Sequence, residues 1–281
     1  MSLKSRQFVS LIYLMALPVI WSIVGLVFGY SSYKIYLPLW ILNVTLMIAC
    51  TWTIGKFNSI KDNQDKLPNA RIGALFIIPF MLISMFAGLG EPPFDNPSQW
   101  VSSATEQRVR YYFLIVAGVL VALAFTLLDH ELKKADEKFY STIGSLAIKL
   151  AIPIFLFNQT YFGFYYTRLS RLMEEADMAK MPDWAIPLSS QYYYSDVIVS
   201  ALVYLGTAFF VASLKRKGWF TKPASNIYIA LCVFCLLVDF LPGIFPKPWI
   251  EPFSTLNFFV SIPAVPFLIS YYMGINMLRK S

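Results

Sequence analysis

Two ionisable side chains lie deep inside apolar stretches of this chain, and a charge near the middle of a bilayer is costly enough to mark a functional candidate. Lys149 sits about nine residues into the apolar segment 140–166, roughly 13 Å deep at 1.5 Å per residue. Asp239 sits roughly 20 Å from the same side in the segment 224–242. The difference of roughly 6–7 Å is within reach of an extended lysine. On a helical projection Thr142, Ser145, Lys149, Thr160, Gly163 and Thr167 share one face of the first segment, with Gln159 in its outer half. Ser225, Tyr228, Cys232, Cys235 and Asp239 share one face of the second. These stripes define a candidate intramembrane polar site of Lys149, Asp239, Gln159, Thr160 and Tyr228, in which Lys149 and Asp239 pair directly or through water. Two plainer roles compete. Lys149 could snorkel to the inner interface on its long stem, and Asp239 could end its helix just before Leu241-Pro242-Gly243.

Other reactive residue types are scarce. The one histidine, His130, lies between Asp129 and Glu131 at the end of an apolar segment. It is a weak candidate for acid–base work at headgroup level, and a lone histidine excludes a haem held by two axial histidines from this chain alone. Cys232 and Cys235 form a C-x-x-C pair, but in mid-segment rather than at an exposed helix start where a thiolate is stabilised, so they read as packing residues. No Gly-rich phosphate loop, inside-loop D-x-x-x-D pair or late-span retinal lysine is present. No metal or cofactor is expected.

The elements that must position these residues follow from composition. Of 281 residues, 57% are hydrophobic and only 14% charged, against about 25% charged in a soluble domain. The 17% aromatic content suits rings anchored at two membrane–water interfaces. Apolar segments near 8–30, 35–55, 72–90, 110–129, 140–166, 196–214, 224–242 and 253–277 each approach the roughly 20 residues that a helix needs to cross a bilayer. The expected fold is therefore an all-α integral membrane protein, a single polytopic domain of about eight transmembrane helices. With both termini inside, the inner segments carry about twice as many Lys and Arg as the outer ones. Lys215, Arg216, Lys217 and Lys222 form one inner group, and Arg279 and Lys280 another.

Eight spans also admit a parallel 4+4 duplication with halves 1–136 and 137–281. Pro18 precedes Phe28-Gly29-Tyr30 much as Pro153 precedes Phe162-Gly163-Phe164, and both Glu91–Phe94 and Leu241–Trp249 are Pro-aromatic connections. Two outer loops are longer than the rest. The first should run along the interface, anchored by Trp100. The second opens as a solvated helix with Arg168, Arg171, Glu174 and Glu175 three and four apart, then reaches an interfacial hook at Met181–Pro187.

Three functions fit these residues. The first is binding or transport of a small amphipathic or hydrophobic molecule within the helical bundle, favoured by the polar faces and by the aromatic-rich fifth span. The second is an accessory or structural subunit of a larger membrane complex. The third is an intramembrane enzyme acting on lipid, with His130, Asp239 or the Pro-aromatic connections in its site. Expected partners are the lipid bilayer, a lipid-like ligand or other membrane subunits, in a plasma or inner membrane. Nucleic acid is not expected, because the basic residues sort by membrane side.

Overall fold

The computed structural model describes residues 3–28, 33–56, 67–83, 92, 96–176, 178, 181–244, 256–257, 260 and 265–280. In chain order these form α1 (Leu3–Phe28), α2 (Tyr33–Gly55), α3 (Leu67–Ile83), a short α4 (Pro97–Ser102), α5 (Ala104–Lys134) and α6 (Phe139–Thr160). A π-helical stretch (Tyr161–Tyr166), α7 (Thr167–Glu175), α8 (Ile186–Arg216), α9 (Lys222–Ile244) and α10 (Val265–Lys280) follow. Among the described residues, six stretches are long and apolar enough to cross a membrane: Leu3–Trp21, Tyr36–Gly55, Ala104–Lys134, Phe139–Glu175, Ile186–Arg216 and Lys222–Leu241. Helix is the form an isolated span must take in lipid, because it pairs every backbone group internally. α3 and α10, with 17 and 16 residues, occupy the two other expected positions. Parts of the segments 72–90 and 253–277, Gly29 and Tyr30 of the first triplet, and most of both Pro-aromatic connections lie outside the described residues.

The chain forms two compact units, neither of them a contiguous half. One gathers residues 1–120, 159–188 and 272–281; the other gathers 121–158 and 189–271.

In the first unit, α1 and α2 are joined by Tyr13 Oη donating to Asn43 Oδ1 at 2.7 Å. Trp40 Nε1 donates to the carbonyl of Met81 on α3 at 3.0 Å. α3 meets α10 where Gly73 and Gly274 face each other: a Cβ on Gly73 would stand 2.8 Å from the Gly274 oxygen. Such small-residue crossings are expected in a bilayer, where association relies on close packing rather than on expulsion of water. Asn96 caps α4 by accepting from Gln99 N at 3.2 Å, with Pro97 at the first helical position. Trp100 is not an interfacial anchor. It is fully buried, edge-on to Tyr166 with ring centroids 4.7 Å apart. A Trp near prolines suits an interface, but here α4 packs against α7 and buries the ring. The helix expected after the apolar segment 140–166 is present as α7, with Leu169 and Met173 buried and Arg168, Glu174 and Glu175 exposed.

In the second unit, α6 crosses α8 at Gly144 and Gly206, where a Cβ on Gly144 would lie 3.0 Å from the Gly206 oxygen. Phe125 of α5 packs on Phe210 of α8 at 5.0 Å. The start of α6 is held by buried Glu137, whose Oε2 accepts from Ser141 N at 3.2 Å and from Ser213 Oγ of α8 at 2.8 Å. A carboxylate there satisfies an otherwise orphaned first-turn N–H and sits at the positive end of the helix dipole. α6 buries Ser141, Gly144, Ser145, Ile148, Ala151, Ile152, Phe155 and Asn158 and exposes Leu146, Leu150 and Phe157. That exposed apolar face is what a lipid-facing helix requires.

Candidate functional site

Lys149 stands on the exposed edge of α6, one residue (about 100°) round the helix from the buried Ile148. It lines a groove of about 190 Å³ together with Ala122, Phe125 and Thr126 of α5 and Ser145, Ile148, Ile152 and Pro153 of α6. Lys149, Thr126 and Pro153 are all exposed, so the groove opens sideways onto the surface that also carries exposed Leu146 and Leu150. Beside the Ser145 hydroxyl, its polar groups come from three sources. Lys149 brings an ammonium with three donors. Pro153 has no N–H, so the Lys149 carbonyl four residues earlier lacks its usual helical donor. Thr126 Oγ1 donates to the Ala122 carbonyl at 2.7 Å and so presents acceptor lone pairs. Phe125, Ile148 and Ile152 form an apolar back wall.

Lys149 makes no hydrogen bond or ion pair among the described residues, so the direct pair with Asp239 is absent. The reason lies in α6. Its buried face is set by the glycine crossing with α8, which leaves Thr142, Lys149 and Thr160 outward while Ser145, Gly163 and Thr167 are buried. The single polar stripe expected for this segment is thus divided, and the π-helical stretch after Thr160 shifts the phase further.

On α9 the stripe faces inward. Ser225, Cys232 and Asp239 are buried and Tyr228 and Cys235 half-buried, whereas Ile227, Leu231, Phe234 and Leu237 are exposed. Asp239 does not end its helix, which continues to Ile244. Its chain neighbour Val238 belongs to a cluster with Tyr204, Cys232, Val260 and Ile269, with Tyr228 and Cys235 at the margin. Tyr204 Oη donates to the Val260 carbonyl at 3.0 Å. Asn257 Nδ2 donates to the Val238 carbonyl at 2.9 Å and approaches that of Asp239 at 3.4 Å. This repairs a specific defect: Pro242 cannot donate to Val238 four residues earlier, and Asn257 supplies the missing donor.

Gln159 is buried and Thr160 exposed, and both belong to the first unit, whereas Lys149, Asp239 and Tyr228 belong to the second. His130 is exposed at the end of α5 and has no polar side-chain partner among the described residues. Its neighbours bond locally instead, Asp129 to Lys133 and Glu131 to Lys134, each at 2.7 Å. Among the described residues no three of His, Cys, Asp and Glu converge where a metal ion could be held.

One polar cluster was invisible in the segmentation. Asn158 of α6 is fully buried, donates through Nδ2 to Asp196 Oδ1 and accepts from Ser195 Oγ at 2.9 Å. Ser195 and Asp196 lie ten residues inside α8, which begins at Ile186 rather than near 196. The acid at Asp196 carries no sequence signal of this contact, because the preceding Tyr192-Tyr193-Tyr194-Ser195 resembles an interfacial loop.

Compared with protein-family models, with curated proteins and with solved structures, the chain has no match.

Proposed function

We propose that this protein is an eight-span membrane protein of a plasma or inner membrane, with both termini inside, that binds or moves a small amphipathic molecule at the Lys149 groove. The observation that carries the reading is a mid-helix ammonium with no partner among the described residues, set in a half-open groove with an apolar back wall. An uncompensated ammonium in lipid is unfavourable, and an anionic head group would neutralise it. A volume of about 190 Å³ is below the roughly 300–1,000 Å³ of sites that enclose a whole ligand. The groove would therefore hold the head, with the tail lying along exposed Leu146 and Leu150. For the topology, α3 and α10 lie at the two further positions that a count of eight needs, and the basic groups at Lys4–Arg6 and Arg279–Lys280 favour both ends inside.

Titration of the protein in nanodiscs with a fluorescent fatty acid tests this reading. Wild type and Lys149→Arg should bind saturably and Lys149→Met should not; equal binding by Lys149→Met would remove the groove from the account. A second reading is favoured by the same exposure. An acidic side chain on a neighbouring subunit could meet Lys149 laterally, making this an accessory subunit of a larger membrane complex. In that case Lys149→Met would lose a co-purifying protein and leave fatty-acid binding unchanged.

A further inference from the structure

We propose that a second pocket, formed by the ends of α1, α2 and α10, binds the phosphate of an anionic phospholipid. It lies in the first unit and is independent of the Lys149 groove. Gln7, Phe8, Leu11, Ile54, Lys56 and Arg279 line a cavity of about 160 Å³. Three helices thus bring two cations and an amide over an apolar floor. Gln7 is held in place by donating from Nε2 to the Thr53 carbonyl at 3.5 Å, leaving its carbonyl oxygen and second N–H for the pocket. Lys56 follows the last residue of α2 with a left-handed backbone, φ 47°, which ends the helix at the pocket's edge.

The charge balance points to an anion. α1, α2 and α10 contain no Asp or Glu. Neither Lys56 nor Arg279 makes an ion pair among the described residues. The simplest alternative is that these cations only offset the negative C-terminal ends of α2 and α10. Each such end carries about half an elementary charge, so two full positive charges leave about one uncompensated, before Lys4 and Arg6 are counted. A basic pocket between membrane helices at a headgroup level is the usual chemistry of anionic-lipid recognition. The apolar surface continues in the direction an acyl chain would take. Phe8, Ile12, Met15 and Val19 follow one another at spacings of four, three and four, and all are exposed. The pocket matches a head group in size and the stripe on α1 takes the tail.

The test uses the full chain in nanodiscs of phosphatidylcholine doped with phosphatidylglycerol, with retained lipid counted by native mass spectrometry. Wild type should hold one phosphatidylglycerol in preference to phosphatidylcholine. Lys56→Asn with Arg279→Gln should weaken that retention about thirtyfold, about fivefold per cation; asparagine suits the left-handed backbone at 56. Lys217→Gln with Lys222→Gln, two cations outside the pocket, should leave it unchanged. Equal retention of both lipids, equal loss in the control pair, or displacement of the lipid by glycerol 3-phosphate alone would each overturn the proposal. Should the double variant fail to fold, Lys56→Asn alone carries the same test with about a fivefold loss expected.

Discussion

An alanine at position 144 would place its methyl carbon 2.9 Å from Phe210 Cδ2 and 3.0 Å from the carbonyl oxygen of Gly206. Ordinary contact between carbons begins at about 3.5 Å, so the overlap is about half an ångström on two sides. Neither neighbour yields easily. The oxygen belongs to the backbone of α8, and the Phe210 ring is held against Phe125 at 5.0 Å. Overpacking of this kind costs about 1–3 kcal/mol, and the better helix propensity of alanine returns at most about 1 kcal/mol. Gly144→Ala should therefore destabilise the protein by about 1–2 kcal/mol. Gly206→Ala meets Ile148 Cδ1 and Cγ1 at 2.9 Å and the Gly144 oxygen only at 3.1 Å. Ile148 can rotate, so this loss should be the smaller of the two, but Ile148 also lines the Lys149 groove and its movement should alter binding there. Steric-trapping unfolding in bicelles measures both differences. A neutral or stabilising Gly144→Ala, or the reverse order of the two variants, would mean that α6 and α8 do not meet backbone to backbone. The outward position of Lys149 would then lose its cause.

Three further outcomes are expected. Asn257→Leu leaves the Val238 carbonyl unsatisfied and should cost about 1–3 kcal/mol. Adding Pro242→Ala restores a backbone donor to that carbonyl and should recover part of the loss, whereas additive losses in the double variant would contradict the repair. Asn158→Leu removes one partner each from Ser195 and Asp196 and should cost about 1.5–3 kcal/mol in the same unfolding assay; a change below about 0.5 kcal/mol would show the cluster to be hydrated. Lys149→Met should stabilise the ligand-free protein, because a lysine near a span centre costs about 2.5–3.5 kcal/mol and snorkelling recovers part of that. An unchanged or lower stability would place the amine in water or in a protein ion pair.

Most of the helix positions were legible in the sequence, because bilayer thickness imposes one length scale on every span. Each of the eight apolar segments overlaps a helix, although only six reach spanning length among the described residues. The face of α9 was legible too. Between Ser225 and Asp239 it carries no proline or glycine, so Ser225, Tyr228, Cys232, Cys235 and Asp239 keep phase along that stretch. α6 was not, since Pro153 and the π-helical stretch disturb its phase. There is also a deeper cause: in lipid both faces of a helix are apolar, so polarity does not say which one is buried. Close backbone approach decides it, and the Gly144–Gly206 contact has no periodic signature. The Asn158–Asp196 contact escaped for a different reason, a helix start placed ten residues too late. Trp100 shows that an aromatic near prolines marks a change of direction without saying whether the ring ends in the interface or beneath it.

The claim at the centre of this account is that the Lys149 ammonium is neutralised by a molecule that is not part of the chain. Native mass spectrometry of protein taken directly from its own membrane tests it most directly. In a Lys56→Asn, Arg279→Gln background, which empties the second pocket, the protein should carry a bound species with an acidic head and an apolar tail, kept when Lys149→Arg is added and lost when Lys149→Met is added. A protein of bare polypeptide mass in that background, or a bound species unaffected there by Lys149→Met, would contradict it.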